Sequence, residues 1–283
     1  MLRFVAIVCA LFVCIAPLRA AENTADVDRA IVLLNKQDFA AALKILKPKA
    51  DAGDVTAQTY LAVLYDGGFG YKPVDRAEAL KWNKRAATRG DAQAQSLLAD
   101  KYFTGRGVKQ DFAEAAKLYQ SSADKGFAPA QRALGEMYET GTGVQPDVTK
   151  AFALYLAAAD QGLALAQVNV GRMRASGAGT TQDFGIAVKY FRMAANQKDS
   201  AAAIWLGSAY ETGSGIEKDL VLAYMWSTLA GEFGRARDTK DDPKSGIGVI
   251  LENLRFKMTK DDVAKAEQMV KDWKPDFTVT KQP

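Results

Sequence analysis

Six aspartates, Asp38, Asp75, Asp111, Asp147, Asp183 and Asp219, recur at spacings of 37, 36, 36, 36 and 36 residues. Paired carboxylates do acid–base work in glycosidases, where two of them face one bond across roughly 5–9.5 Å. A series placed one repeat apart does not converge in that way. It is what helix capping produces, each carboxylate accepting from free N–H groups at the positive end of a helix. Five Gly-x-Gly pairs, Gly68/Gly70, Gly105/Gly107, Gly141/Gly143, Gly177/Gly179 and Gly213/Gly215, raise a second possibility, a phosphate cradle. Phosphate cradles follow a strand and open a helix. These pairs follow helical patterns, so they read as turns. Histidine is absent, and the only cysteines are Cys9 and Cys14. Ser-His-Asp and Cys-His catalysis, HExxH metal helices and zinc ribbons are therefore excluded. The sequence predicts no catalytic residue, no metal site and no cofactor.

Each aspartate precedes an apolar-periodic run that predicts a first helix. Ala42, Ala79, Ala115, Ala151, Ala187 and Ala223 fall at one register of that helix, where small residues allow close approach. Gly53, Gly90, Gly126 and Gly162 close it at left-handed cap positions, and Lys198 takes that place in the fifth repeat. A second helix begins near Ala57-Gln58, Ala94-Gln95, Ala130-Gln131 and Ala166-Gln167 and runs toward Tyr65, Tyr102, Tyr138, Arg174 and Tyr210. The Gly-x-Gly pair ends it. Each unit is a helical hairpin, and hairpins must stack because one alone cannot bury its apolar face.

These residues resemble the Sel-1-like repeat family, relatives of the tetratricopeptide repeats. The third repeat carries the pattern most fully, in Ala115, Tyr119, Ala123, Gly126, Ala130, Gln131, Leu134, Tyr138, Gly141, Gly143 and Val144. The resemblance covers about residues 38–231 and departs from the pattern at Arg174 and Lys198. The predicted fold is all-α, a right-handed α-solenoid of stacked hairpins in 36-residue repeats with helical caps. Its parts are an N-terminal capping helix within 21–37, the array over 38–231, a loop and capping helices over 232–273 and a flexible tail over 274–283. The loop is expected over 234–248, with two helices over 250–258 and 259–273. Thr259 and Asp262 make a capping-box-like start to the last helix.

Residues 1–20 have the layout of a secretory signal: Arg3, an apolar run of 13 residues, then Pro17 and Ala20. Cleavage after Ala20 is expected. That run is short for a spanning helix, which needs roughly 20 apolar residues, and Val13 before Cys14 does not suit a lipoprotein site. The expected mature chain is periplasmic or secreted, lacks cysteine and does not insert in a membrane. With 37 basic and 33 acidic side chains, the full sequence is too evenly balanced for a dedicated nucleic-acid binder.

Charge is uneven along the array. Repeat two (75–110) is +4 and repeat three is −2. On the helix from Asp75, Lys81, Lys84 and Arg85 lie opposite the face of Ala79, Trp82 and Ala86. Phe152 and Leu156 occupy matching rows in repeat four, continued by Arg192 and Tyr224. By resemblance to tetratricopeptide arrays, first helices line a concave groove. One reading is a groove that binds an acidic segment through Lys81, Lys84 and Arg85, and an apolar anchor through Phe152, Leu156 and Tyr224. The plainer reading is a solvated basic face with Phe152 covered by a neighbour. Trp82, Tyr119, Tyr155, Phe191, Trp205 and Trp226 are expected in the core rather than as a carbohydrate platform. The resemblance implies a non-catalytic scaffold or regulator that recognises a protein, a membrane sensor or a cell-envelope enzyme being the classes it suggests. A cell-wall (peptidoglycan or β-lactam) binding protein or enzyme is the alternative, weakened because the paired cysteines of such members are missing.

Overall fold

An aspartate side chain opens the first helix of each repeat. Asp38, Asp75, Asp111, Asp147 and Asp183 accept from the backbone N–H three residues on, at 2.8–3.1 Å. Asp219 accepts from two, those of Val221 and Leu222. The computed structural model describes residues 24–67, 74–236 and 246–276, and every regular element among them is a helix. The signal-like residues 1–20, Gly68, Gly70 and the insertion near Tyr71 lie outside the described residues.

Fourteen helices are described. A leading helix α1 (Thr24–Asn35) is followed by five hairpins. They are α2 (Phe39–Asp51) with α3 (Val55–Gly67), α4 (Arg76–Thr88) with α5 (Ala92–Thr104), and α6 (Phe112–Ala123) with α7 (Ala128–Thr140). Then come α8 (Val148–Asp160) with α9 (Ala164–Ser176), and α10 (Phe184–Asn196) with α11 (Ser200–Thr212). Helices α12 (Leu220–Ala236), α13 (Gly246–Arg255) and α14 (Lys260–Asp272) complete the chain. It divides into two units, one of residues up to 130 with 142–145, the other of 131–141 and 146 onward.

In the first unit Val27, Ala30 and Leu34 of α1 pack with Leu46 of α2, Leu61 of α3 and Trp82 of α4. In the second, α10 to α12 share a core that Leu254 of α13 and Ala266 of α14 close. Throughout, the alanine register of the first helices is no more than 1 % exposed, so the small side chain is what lets neighbours touch. Gly171 in α9 serves the same end: a Cβ there would stand 2.5 Å from the Phe191 ring. At the hairpin ends Gly143 has φ +71°, and a Cβ there would stand 2.5 Å from the Phe112 carbonyl oxygen. At Gly143, Gly179 and Gly215 the turn packs on the backbone at the start of α6, α8 and α10 respectively, where a Cβ would stand 2.3–2.5 Å away, leaving no room for an anion there.

A ladder of donors ties successive repeats together and was not anticipated from sequence. In repeats two to five the residue before the left-handed cap position reaches back one repeat. Arg89 donates to Gly53 O, and Lys125 to Gly90 O and Gln95 Oε1 at 2.7 and 2.8 Å. In the second unit Gln161 donates to Gln131 Oε1, and Gln197 to Gly162 O and Gln167 Oε1. The first repeat, with no repeat before it, has Ala52 there. The signal was a polar donor recurring every 36 residues.

The two departures from the repeat pattern leave the backbone intact. Lys198 adopts φ 62°, the left-handed conformation of the glycines it replaces. The Arg174 carbonyl accepts from Asp183 N at 2.8 Å, as the tyrosine carbonyls do in the other repeats. The expected 234–248 loop is shorter than the glycines suggested. Phe233 is 5 % exposed and extends the apolar face of α12, which runs to Ala236, while Gly246 already opens α13; residues 237–245 lie outside the described residues. The Thr259–Asp262 capping box is formed. The start of the expected flexible tail is held instead, because the Asn196 side chain pairs with both backbone groups of Asp276; 277–283 lie outside the described residues.

Candidate binding surface

In the first unit, α4 presents Lys81, Lys84 and Arg85 to solvent, as its periodicity predicts. Beneath them Trp82 is 1 % exposed and donates from Nε1 to Glu78 Oε2 at 3.0 Å. Three cations gather on its ring: Lys47 of α2 at 5.1 Å, Lys81 at 5.6 Å and Arg85 at 4.9 Å from the centroid. Cation–π attraction at such sites is worth about 0.5–1 kcal/mol each, enough to gather side chains that otherwise repel. Lys81 is paired with Glu78 at 2.8 Å and Lys47 with Asp51 at 2.6 Å. Among the described residues, neither Lys84 nor Arg85 has a carboxylate within 4 Å. Sequence reasoning missed the α2 half of this face. Lys44 and Lys47 stand 37 residues before Lys81 and Lys84, the first repeat interval, and that spacing was the available signal.

The apolar anchor expected in the second unit is not on the surface. Phe152 is 9 % exposed and Tyr224 1 %. The Arg174 guanidinium lies 5.0 Å over the Phe152 ring, and that of Arg255 lies 5.4 Å over Tyr224. The physical reason is register. Phe152 matches Val188, 6 % exposed, on the shoulder of the packing face beside the alanine row. Leu156 is half-buried, and Arg192, also half-buried, donates to the Tyr210 hydroxyl at 2.9 Å. The covered-Phe152 reading is therefore the one the structure supports. Five of the six expected core aromatics are buried, but Trp205 is 39 % exposed and stacks parallel to Phe191 with centroids 5.4 Å apart.

Buried polar groups serve packing. Tyr155 donates to Glu139 at 2.9 Å, and Arg172 clamps the same carboxylate at 2.6 and 2.8 Å. Burial, and then the Glu139 carboxylate, push the Tyr155 phenol up. The Lys150 backbone N–H holds the Asp147 carboxyl below the usual range, the signature of a cap. Among the described residues there is no group of three metal-ligating side chains and no helix long and apolar enough to cross a membrane.

Hairpins of about 36 residues, each burying its apolar face on the next, define a helical-repeat protein of the solenoid class. The Sel1 repeat matches residues 55–91, 92–127, 128–163, 164–199 and 200–232. The chain belongs to the Sel1 repeat family. Among solved structures it is similar to a Sel1 repeat protein from Oxalobacter formigenes, 26% identical with a TM-score of 0.65, over 82% of this chain and 100% of that one. It is also similar to c5321, a protective antigen of uropathogenic Escherichia coli with an SLR fold, at 26% identity and a TM-score of 0.64. That match covers 84% of this chain, which spans only 54% of c5321. The immunity protein PA5088 from Pseudomonas aeruginosa shares the fold at 16% identity and a TM-score of 0.53, over 78% of this chain and 86% of that one. No match was found among curated proteins.

Proposed function

We propose that this chain is an exported, non-catalytic scaffold whose basic face on α2 and α4 binds an acidic segment of a protein partner. The observation that carries this reading is the exposed pair Lys84 and Arg85, with no carboxylate within 4 Å among the described residues, beside Lys47 and Lys81 gathered on Trp82. Four cations stand there against Glu78 and Asp51. A local surplus on a nearly neutral chain steers an acidic ligand toward that face. The aspartates at the repeat starts, the groups otherwise suited to acid–base chemistry, are each engaged in capping. Export rests on the signal-like layout of residues 1–20, with cleavage after Ala20. The partner classes that the family resemblance suggests are a membrane sensor and a cell-envelope enzyme.

The test is fluorescence anisotropy of the mature protein with a labelled glutamate-rich peptide at low and high salt. Binding should be strongest at low salt, and Lys84→Glu with Arg85→Glu should weaken it about tenfold there, chiefly by slowing association. Equal binding by the reversed variant would remove this face from the reading. N-terminal sequencing that finds Met1 retained in the membrane would overturn export.

A further inference from the structure

The geometry points to a second, independent site in the second unit: a pocket between α9, α10 and α11 that takes one tyrosine or tryptophan side chain of a protein partner. The pocket holds about 160 Å³ and is walled by Phe184, Phe191 and Trp205. Phe184 is 41 % and Trp205 39 % exposed.

Repeat five opens this pocket by substitution at two registers. The register of Ser208 holds Asp100, Glu136 and Arg172 in the three preceding repeats. Asp100 and Arg172 reach a neighbouring helix, Asp100 accepting from the Tyr119 hydroxyl and Arg172 pairing with Glu139, while Glu136 pairs with Arg132 on its own helix. Ser208 is small, and its hydroxyl makes no hydrogen bond within the described residues. The register of Trp205 holds Leu97, Ala133 and Asn169 in those repeats, so the stacking pattern of the array does not call for an indole there.

Volume and lining choose the occupant. Small-molecule and cofactor pockets run from roughly 300 Å³ upward; 160 Å³ holds a single large side chain. No lining residue carries a charge, so a carboxylate or ammonium would lose its water without gaining a partner. The two exposed aromatics of the lining, Phe184 and Trp205, the latter backed by buried Phe191, favour an aromatic guest in edge or offset contact. The open Ser208 hydroxyl meets the polar tip that phenylalanine and leucine lack. A sugar would need a free aromatic face and several directed polar groups. Here the Thr212 hydroxyl is spent on Ser208 O and Ser214 Oγ, which leaves too few directed polar groups for a sugar.

The mature protein labelled with 5-fluorotryptophan tests this by fluorine NMR, with the Trp205 resonance assigned through Trp205→Phe. N-acetyl-tyrosinamide and N-acetyl-tryptophanamide should shift the Trp205 resonance saturably and leave Trp82 in place. N-acetyl-aspartamide and methyl glucoside should not shift it. Ser208→Arg, which restores the bulk and charge of repeat four at an exposed position, should weaken the aromatic amides about tenfold. Phe184→Ser, also at an exposed position, should do the same, with unchanged helicity showing that both variants fold. No saturable shift with either aromatic amide, binding undiminished in both variants, or an equal response to methyl glucoside would each overturn the proposal. Acidic-peptide binding should be unchanged in Ser208→Arg, so this site and the basic face fail or stand separately.

Discussion

The tryptophans of repeat two and repeat five stand in opposite surroundings. Trp82 is 1 % exposed, its N–H given to Glu78 and its ring crowded by cations from two helices. Trp205 is 39 % exposed, with Phe191 on one face and an uncharged pocket beside it. Both sit in hairpins with the same aspartate cap, the same buried alanine and the same left-handed turn. The repeat constrains the registers that touch the next hairpin and leaves the shoulders of each helix free to vary. Two surfaces of opposite chemistry grow on one backbone plan, and each is set by a few side chains that the plan does not specify.

Replacing both tryptophans is the strongest way to break this comparison. Trp82→Ala should cost about 3–5 kcal/mol, since it deletes a fully buried ring and strands the cations around it. Trp205→Ala should cost about 1 kcal/mol, because much of that ring is already in water. Urea denaturation of the two variants checks the ordering. A similar loss for both would mean that Trp205 is a core residue and that its exposure has no functional reading.

The small register of the second helices comes next. Gly171→Ala gains helix propensity, about 1 kcal/mol, yet drives a methyl against the Phe191 ring. Overpacking costs about 1–3 kcal/mol, so a net loss near the lower end of that range is expected. The stacking of Phe191 on Trp205 should loosen with it, which near-ultraviolet dichroism would report. A stabilised variant would show that the interface has slack to take a methyl group.

Tyr155→Phe should cost about 1–2 kcal/mol at neutral pH by stranding part of Glu139, which Arg172 still holds. Its pH dependence is more informative. Burial, followed by Glu139, raises the folded phenol above its ordinary value near 10. The folded state then keeps a proton that the unfolded chain gives up. Stability from this group is complete below about pH 10 and drains away as pH climbs from there toward the folded value. Tyr60 is raised too, by burial first and then by Asp91 and Asp28, and behaves likewise. Denaturation midpoints should fall more gently above pH 10 in Tyr155→Phe than in the parent protein. Identical slopes would mean that Tyr155 ionises freely in the folded chain. Asp147 runs the opposite way: its lowered carboxyl supports the cap at neutral pH and loses that effect as pH falls through its folded value.

Most of the architecture was readable in the residues, because what repeats is what packs. The caps, the alanine row and the hairpin turns each answer to one local rule, and every copy reinforced the last. The surface was readable only in part. Helical periodicity placed Lys81, Lys84 and Arg85 outward because their neighbours Ala79, Trp82 and Ala86 had to face inward. It misplaced Phe152 and Trp205 because exposure of a shoulder residue depends on the size and reach of the side chains around it, on its own helix or the next. Arg174, the residue that breaks the tyrosine pattern, is the one that covers Phe152. Ser208, too small to cover anything, leaves Trp205 open. The first depends on a residue 22 positions away on the next helix, which a one-helix projection does not contain; the second turns on Ser208, three residues from Trp205 on the same helix, where comparison with Asp100, Glu136 and Arg172 of the earlier repeats was the available signal.

The mildest perturbation tests whether the departures from the pattern are tolerated or useful. Lys198 holds φ 62° where four other repeats have glycine. A side chain in the left-handed region costs about 1–2 kcal/mol. Lys198→Gly removes that cost but returns about 0.4–1 kcal/mol of freedom to the unfolded chain. A net gain of about 0.5 kcal/mol is expected, read as a small rise in the urea midpoint. Gly162→Lys, the reverse exchange in repeat four at φ 86°, should lose a similar amount. The Gln197 bonds to Gly162 O and Gln167 Oε1 use the side chain before Lys198 and survive the change, so the ladder does not confuse the comparison. If Lys198→Gly instead destabilises the protein, the lysine side chain is contributing more than its backbone strain costs. Repeat five would then owe its stability, as well as its pocket, to side chains outside the common pattern.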